Sequence, residues 1–121
     1  MMKVPVFILL VLIAQGCTKP LPEIAAIDLQ QWKADRHGCG NYRQTTAETF
    51  LQQKEKLLGL SENQILQLLG KPDAAELYKR NQKFYYYALA ADTTCKSASK
   101  VRQTLVLRFN ATGLVKEITL E

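Results

Sequence analysis

The chain is short of the groups that most enzymes and metal proteins need. It has one histidine, His37, and three cysteines, none spaced as Cys-x-x-Cys. A closed zinc site, which takes four nitrogen, sulfur or oxygen ligands, would lack donors, so no metal is expected. No glycine-rich phosphate loop and no Gly-x-Ser-x-Gly elbow occur, and the acidic residues are scattered rather than paired. These absences exclude the common signatures of nucleotide handling and serine hydrolysis. No apolar run approaches the roughly 20 residues of a membrane-crossing helix. Internal repeats and low-complexity tracts are missing too, which sets aside solenoids and disordered linkers.

What is present begins at the first residues. Lys3 precedes an unbroken apolar run from Val4 to Ala14, and Gln15-Gly16-Cys17 follows before the polar Thr18-Lys19-Pro20. A positive start, a short apolar stretch and small residues near a cut form a signal-peptide pattern. The sequence Leu12-Ile13-Ala14-Gln15-Gly16-Cys17 resembles the lipobox of bacterial lipoproteins, with Gln15 the less usual residue in it. That resemblance implies removal of residues 1–16 and a diacylglycerol with an N-acyl chain on Cys17, a covalent anchor rather than a cofactor. Thr18 in the following position, with no aspartate there, resembles lipoproteins sorted to the outer membrane, lipid-anchored and facing the periplasm.

Cysteine usage fits the same compartment. Three cysteines less a lipidated Cys17 leave Cys39 and Cys95, an even pair in an oxidising environment, and a disulfide between them is expected. Loss of Lys3 with the signal takes the net charge from +5 to +4. Lys79, Arg80, Lys83, Lys96, Lys100 and Arg102 gather in the later half, where they suit either a solvated face or anionic headgroups. Nucleic acid is excluded by the compartment, and no small-molecule substrate is expected.

The mature chain reads as a tether over residues 17–26, stiffened by Pro20 and Pro22, and one domain over 27–121. Asp28 is placed to cap a helix through about Arg36, with Leu29 and Trp32 on one side and Gly38 and Gly40 ending it. Thr45-Thr46-Ala47-Glu48 has the form of a capping box and predicts a second helix running to Leu58, closed by Gly59. Ser61-Glu62-Asn63-Gln64 predicts a third, stopped by Gly70-Lys71-Pro72-Asp73. Strands are then expected at Glu76–Arg80, at Lys83–Ala91 after a turn at Asn81-Gln82, at Val101–Asn110, and at Leu114–Leu120 after the loop Asn110-Ala111-Thr112-Gly113. The Asn-Ala-Thr triplet is read as turn chemistry. The expected fold is α+β, with two or three N-terminal helices on one face of a three- to four-stranded antiparallel sheet.

Gly59-Leu60-Ser61-Glu62-Asn63-Gln64-Ile65 followed by Leu69-Gly70-Lys71-Pro72 resembles the signature of the SmpA, OmlA or BamE family of small outer-membrane lipoproteins, components of the β-barrel assembly machinery. The aromatic strand Phe84-Tyr85-Tyr86 and the hairpin from Leu105 to Ile118 continue the resemblance. It implies a binding or scaffolding role in the envelope with a protein partner. The helix-helix-sheet unit is also similar to the repeats of β-lactamase inhibitor proteins, which implies an alternative, an inhibitor or binder of a periplasmic enzyme. The helix around Trp32 is extra to the family pattern.

Catalysis has little to draw on. His37 has Asp35 and Cys39 near it in sequence, but residues two apart on a helix face different ways, and an oxidised cysteine is no nucleophile. No enzyme activity is expected. The run Tyr85 to Tyr87 is the candidate recognition surface, because tyrosine offers rigid amphipathic area. Alternate side chains of a strand point to opposite faces, so only part of this run can face outward; Tyr85 and Tyr87 are the expected partner-binding pair.

Overall fold

The computed structural model describes residues 19–121. Cys17 and the expected signal segment lie outside the described residues. Three α-helices, α1 (Leu29–Ala34), α2 (Tyr42–Leu51) and α3 (Glu62–Leu69), precede four strands, β1 (Ala74–Tyr78), β2 (Gln82–Ala88), β3 (Thr104–Phe109) and β4 (Val115–Leu120). The strands form one antiparallel sheet in the order β1-β2-β3-β4. The chain is thus α+β with the helices first. Among the described residues no helix is long and apolar enough to cross a membrane.

Helix starts show where local sequence decides and where it does not. Asp28 caps α1 by accepting from the Gln30 and Gln31 amides. Ser61 caps α3 in a reciprocal box with Gln64, whose side chain accepts from the Ser61 amide at 3.0 Å. The expected box at Thr45–Glu48 is absent. Helix α2 starts at Tyr42, and Thr45 and Thr46 instead bond back to the Tyr42 carbonyl. Its free N-terminal amides are met from a distance, for Asp35 accepts from Gly40 and, at 2.9 Å, from Arg43. A carboxylate there also faces the positive end of the helix dipole. Helix α2 also stops earlier than expected, at Leu51, and the chain passes through a 3-10 turn at Lys54–Leu57 before Gly59 takes a φ of 83°.

The core lies between the helices and one sheet face, built on Trp32, Phe50, Leu57, Ile65, Leu69, Tyr87, Leu105, Leu107 and Phe109. Fully burying an aliphatic or aromatic side chain of this kind is worth about 1.5–3 kcal/mol each. Strand β4 holds a parity change that sequence alternation hides. Phe109 pairs with Val115, but Arg108 pairs with Glu117, so the register shifts beside Lys116. This bulge lets Val115 and Ile118, an odd and an even position, both turn toward the helices. Strand β2 ends at Ala88, and residues 89–103 lead to β3 without regular structure. The β1–β2 connection is a short 3-10 turn at Lys79–Asn81, with Arg80 and Asn81 both at positive φ, one residue earlier than the expected turn.

Residues 19–26 were expected to belong to a free tether. Residues 19–26 carry no helix or strand, yet they lie along the domain: Ile24 is buried, and Gln53 bonds both the amide and the carbonyl of Ala25.

Candidate functional site

The residues that could carry chemistry are engaged in structure. Cys39 and Cys95 are joined by a disulfide, with Cα atoms 5.5 Å apart, linking the end of the first helical segment to the loop after β2. His37 does not meet Asp35. Its Nδ1 sits 2.8 Å from Asp92 Oδ2 across the disulfide region. Burial works against the charge on Asp92, but bonds from Thr94 and His37 outweigh it and hold the carboxyl below its ordinary range. Thr94 Oγ1 also donates to Asp92 Oδ1, at 2.6 Å, which ties the pair into the loop after β2. Among the described residues no cluster of histidine, cysteine or carboxylate could hold a metal ion.

A second polar cluster was not visible in the sequence. Asp73, which follows the Gly-Lys-Pro stop, has a buried side chain that accepts four bonds: Oδ1 from Arg36 Nε at 3.1 Å and the His37 amide at 3.0 Å, Oδ2 from Arg43 Nη1 at 2.7 Å and the Ala88 amide at 2.8 Å. Burial raises its pKa, yet the Ala88 amide, the Arg43 charge and the His37 amide together bring it below the ordinary value. Arg43 is wholly buried; its Nε donates to the Trp32 carbonyl and its guanidinium lies 4.2 Å from the Trp32 ring centre. This cluster fastens the first helices to the sheet. Only the spacing of one charged residue on each of three segments could have hinted at it, and such spacing is common.

The tyrosine expectation needs correction. Tyr85 and Tyr87 face the helices and are buried, not offered to a partner. The reason is register: they sit opposite Leu107 and Leu105, which are themselves fully buried, and Tyr87 packs against Trp32 with ring centres 5.6 Å apart. Their hydroxyls are satisfied internally, Tyr87 by the Gly70 carbonyl and Tyr85 by Glu62. Burial accordingly pushes both phenols above their ordinary pKa.

The outward pair is Phe84 and Tyr86. With Tyr78 they form a row of rings on the open sheet face, Tyr78 edge-on to Phe84 at 6.0 Å and Phe84 stacked with Tyr86 at 6.3 Å. Val106 fills the place opposite Tyr86, and beyond it the Arg108–Glu117 ion pair, 3.0 Å, borders the row. Glu76 accepts from the Tyr86 hydroxyl at 2.6 Å, which pushes that phenol up to about 12. The face therefore presents a partly exposed apolar row with fixed polar edges. Such a surface suits a protein contact, in which aromatic rings give area without much rotamer loss. The basic residues do not reinforce it as one cluster. Lys79, Arg80 and Lys83 lie at the Phe109 end of the sheet, whereas Lys96, Lys100 and Arg102 belong to the loop at the opposite, Thr104 end.

A family model described as the outer membrane protein assembly factor BamE domain matches residues 52–119, more than half of the chain. No curated relative and no solved structure matches. The matched span starts in the turn after α2, so α1, the whole of α2 and Cys39 fall before it, and the open sheet face falls within it.

Proposed function

The chain belongs to the BamE outer-membrane assembly factor family, and from that premise we propose that it is a lipoprotein, anchored at Cys17 in the outer membrane and facing the periplasm, that scaffolds β-barrel protein assembly. The family match carries this reading. The lipobox-like Leu12–Cys17 supports the anchor, and the row Tyr78, Phe84 and Tyr86 supports a protein-binding role for the open face. Tyr86 and Phe84 replace Tyr85 and Tyr87 as the residues proposed to meet the partner. The role is non-catalytic: the domain contributes a shaped surface and a fixed position, while Cys39 and Cys95 serve stability.

Deletion of the gene should lower barrel-protein levels and raise outer-membrane permeability. Wild-type protein should restore both, and a Tyr86→Lys variant that still folds should restore neither fully. An unaltered envelope in the deletion strain would contradict the assembly role. Inhibition of a periplasmic hydrolase by the purified protein would instead favour the enzyme-binding alternative.

A further inference from the structure

We infer that the segment Lys19–Ala26 is a docked strap, and that it lays the end of the domain formed by Leu58, Leu114 and Lys116 directly on the lipid surface; this rests on the proposed anchor at Cys17. The strap is held at both ends. Lys19 Nζ donates to the Lys56 carbonyl at 2.9 Å and the Leu58 carbonyl at 2.7 Å, and the Lys19 carbonyl accepts from the Gln64 side chain. Farther along, Lys56 Nζ donates to the Glu23 carbonyl at 2.8 Å, Gln53 clasps Ala25, and Ile24 is buried. A free tether would make none of these bonds.

The consequence is geometric. Residue 17 is two positions before Lys19, and two residues reach at most about 7 Å. A lipid on Cys17 therefore has to enter the bilayer beside Leu58 and Gly59, against which Lys19 rests. The surface at that point fits an interface. Leu58 and Leu114, both exposed, line one shallow cleft with Val115 and Lys116, and exposed Leu21 is on the strap itself. Exposed leucines beside a lysine are what the headgroup boundary accepts: apolar side chains inserting, and the lysine stem spanning to the phosphate level. Lys79, Arg80 and Lys83 lie at this same end of the sheet, so basic side chains flank the apolar contact. The opposite end of the sheet, with the loop 89–103 and the disulfide, then points into the periplasm, and the open aromatic face stands upright, accessible from the side.

The test uses the full-length lipidated protein in lipid nanodiscs. Its native disulfide and acylated Cys17 leave a single introduced thiol for a spin label, placed at Leu114→Cys, at Leu58→Cys, or as a control at Val101→Cys, which is exposed at the other end. Collision with oxygen, which concentrates in lipid, and with a water-soluble nickel chelate is then compared. The inference expects the labels at 58 and 114 to show an oxygen-to-nickel ratio several-fold above that at 101. Equal, water-like ratios at all three would overturn it, as would shielding of 58 and 114 from both agents, which would mean a protein covers them. A Lys19→Gly variant, which releases the Lys19 end of the strap and leaves the Ser61–Gln64 cap of α3 in place, should lower the ratios at 58 and 114 toward that at 101. Intact mass measurement separates the two claims: absence of the acyl mass defeats the proposed anchor, whereas an acylated protein with uniform ratios defeats only the docked orientation.

Discussion

Residues 52–119 close around apolar side chains, whereas residues 28–43 are fastened to them by one large ring, a cluster of charges and a covalent bond. In the matched span Leu105, Leu107 and Phe109 share one buried core with Leu57, Ile65 and Leu69. In the earlier segment Trp32, with Leu29 and Tyr42 at its edges, supplies the apolar contact, but position is set by Asp73, Arg43, Arg36, Asp35 and the Cys39–Cys95 link. Apolar packing is non-directional and tolerates exchange of side chains of similar volume. Buried charge does not, because each partner needs the other at one place. The early helices are thus held in a single pose on the sheet, with Trp32 against Tyr87.

The largest effect should come from Asp73→Ala, which leaves the buried Arg43 without its carboxylate and the Ala88 amide without an acceptor. Removing one partner of a buried ion pair costs about 3–5 kcal/mol, read as a lower urea midpoint with unchanged slope. Next, replacing Cys39 and Cys95 together by serine reopens a loop of 56 residues in the unfolded chain, for which chain entropy gives at most about 4 kcal/mol. Hydrogen exchange in this variant should rise first in residues 28–43 and only later in β2 and β3. Uniform exchange would mean that the two regions unfold as one. Leu107→Ala breaks the other side of the comparison, at about 3 kcal/mol, and should destabilise both regions equally. The smallest effect concerns acid. Because the folded state holds Asp73 below its unfolded pKa of 3.8, its contribution is complete above that value and is lost as pH falls through the folded value. Asp73→Asn, compared with wild type by thermal unfolding from pH 6 to 2, should be less stable at pH 6 and should lose less stability on acidification. A parallel pair of curves would contradict the assignment of that carboxylate.

Much of the matched span was legible because its signals are local. Ser61 and Gln64 are three residues apart and cap the same turn; Gly59, Gly70 and Gly113 stand where positive φ is needed; Asn110 ties its own loop by accepting from Thr112 and Leu114. The failures are long-range. The start of α2 depends on Asp35, seven residues ahead of Tyr42, which outweighs the Thr45–Glu48 pattern. The tyrosine phase depends on which face of β2 the helices cover, and four consecutive aromatics, Phe84 to Tyr87, make both phases equally apolar. The bulge at Lys116 and the docking of Ile24 likewise arise from packing partners distant in the chain. The two tyrosines expected to be exposed therefore lie on the buried face of β2.

Affinity purification of the full-length tagged protein from gently solubilised, cross-linked membranes, with mass spectrometry of what accompanies it, tests the assembly role most directly. The account predicts recovery of β-barrel assembly proteins with wild type and their depletion with Tyr86→Lys; recovery of a single hydrolase, or equal recovery from both proteins, would contradict it.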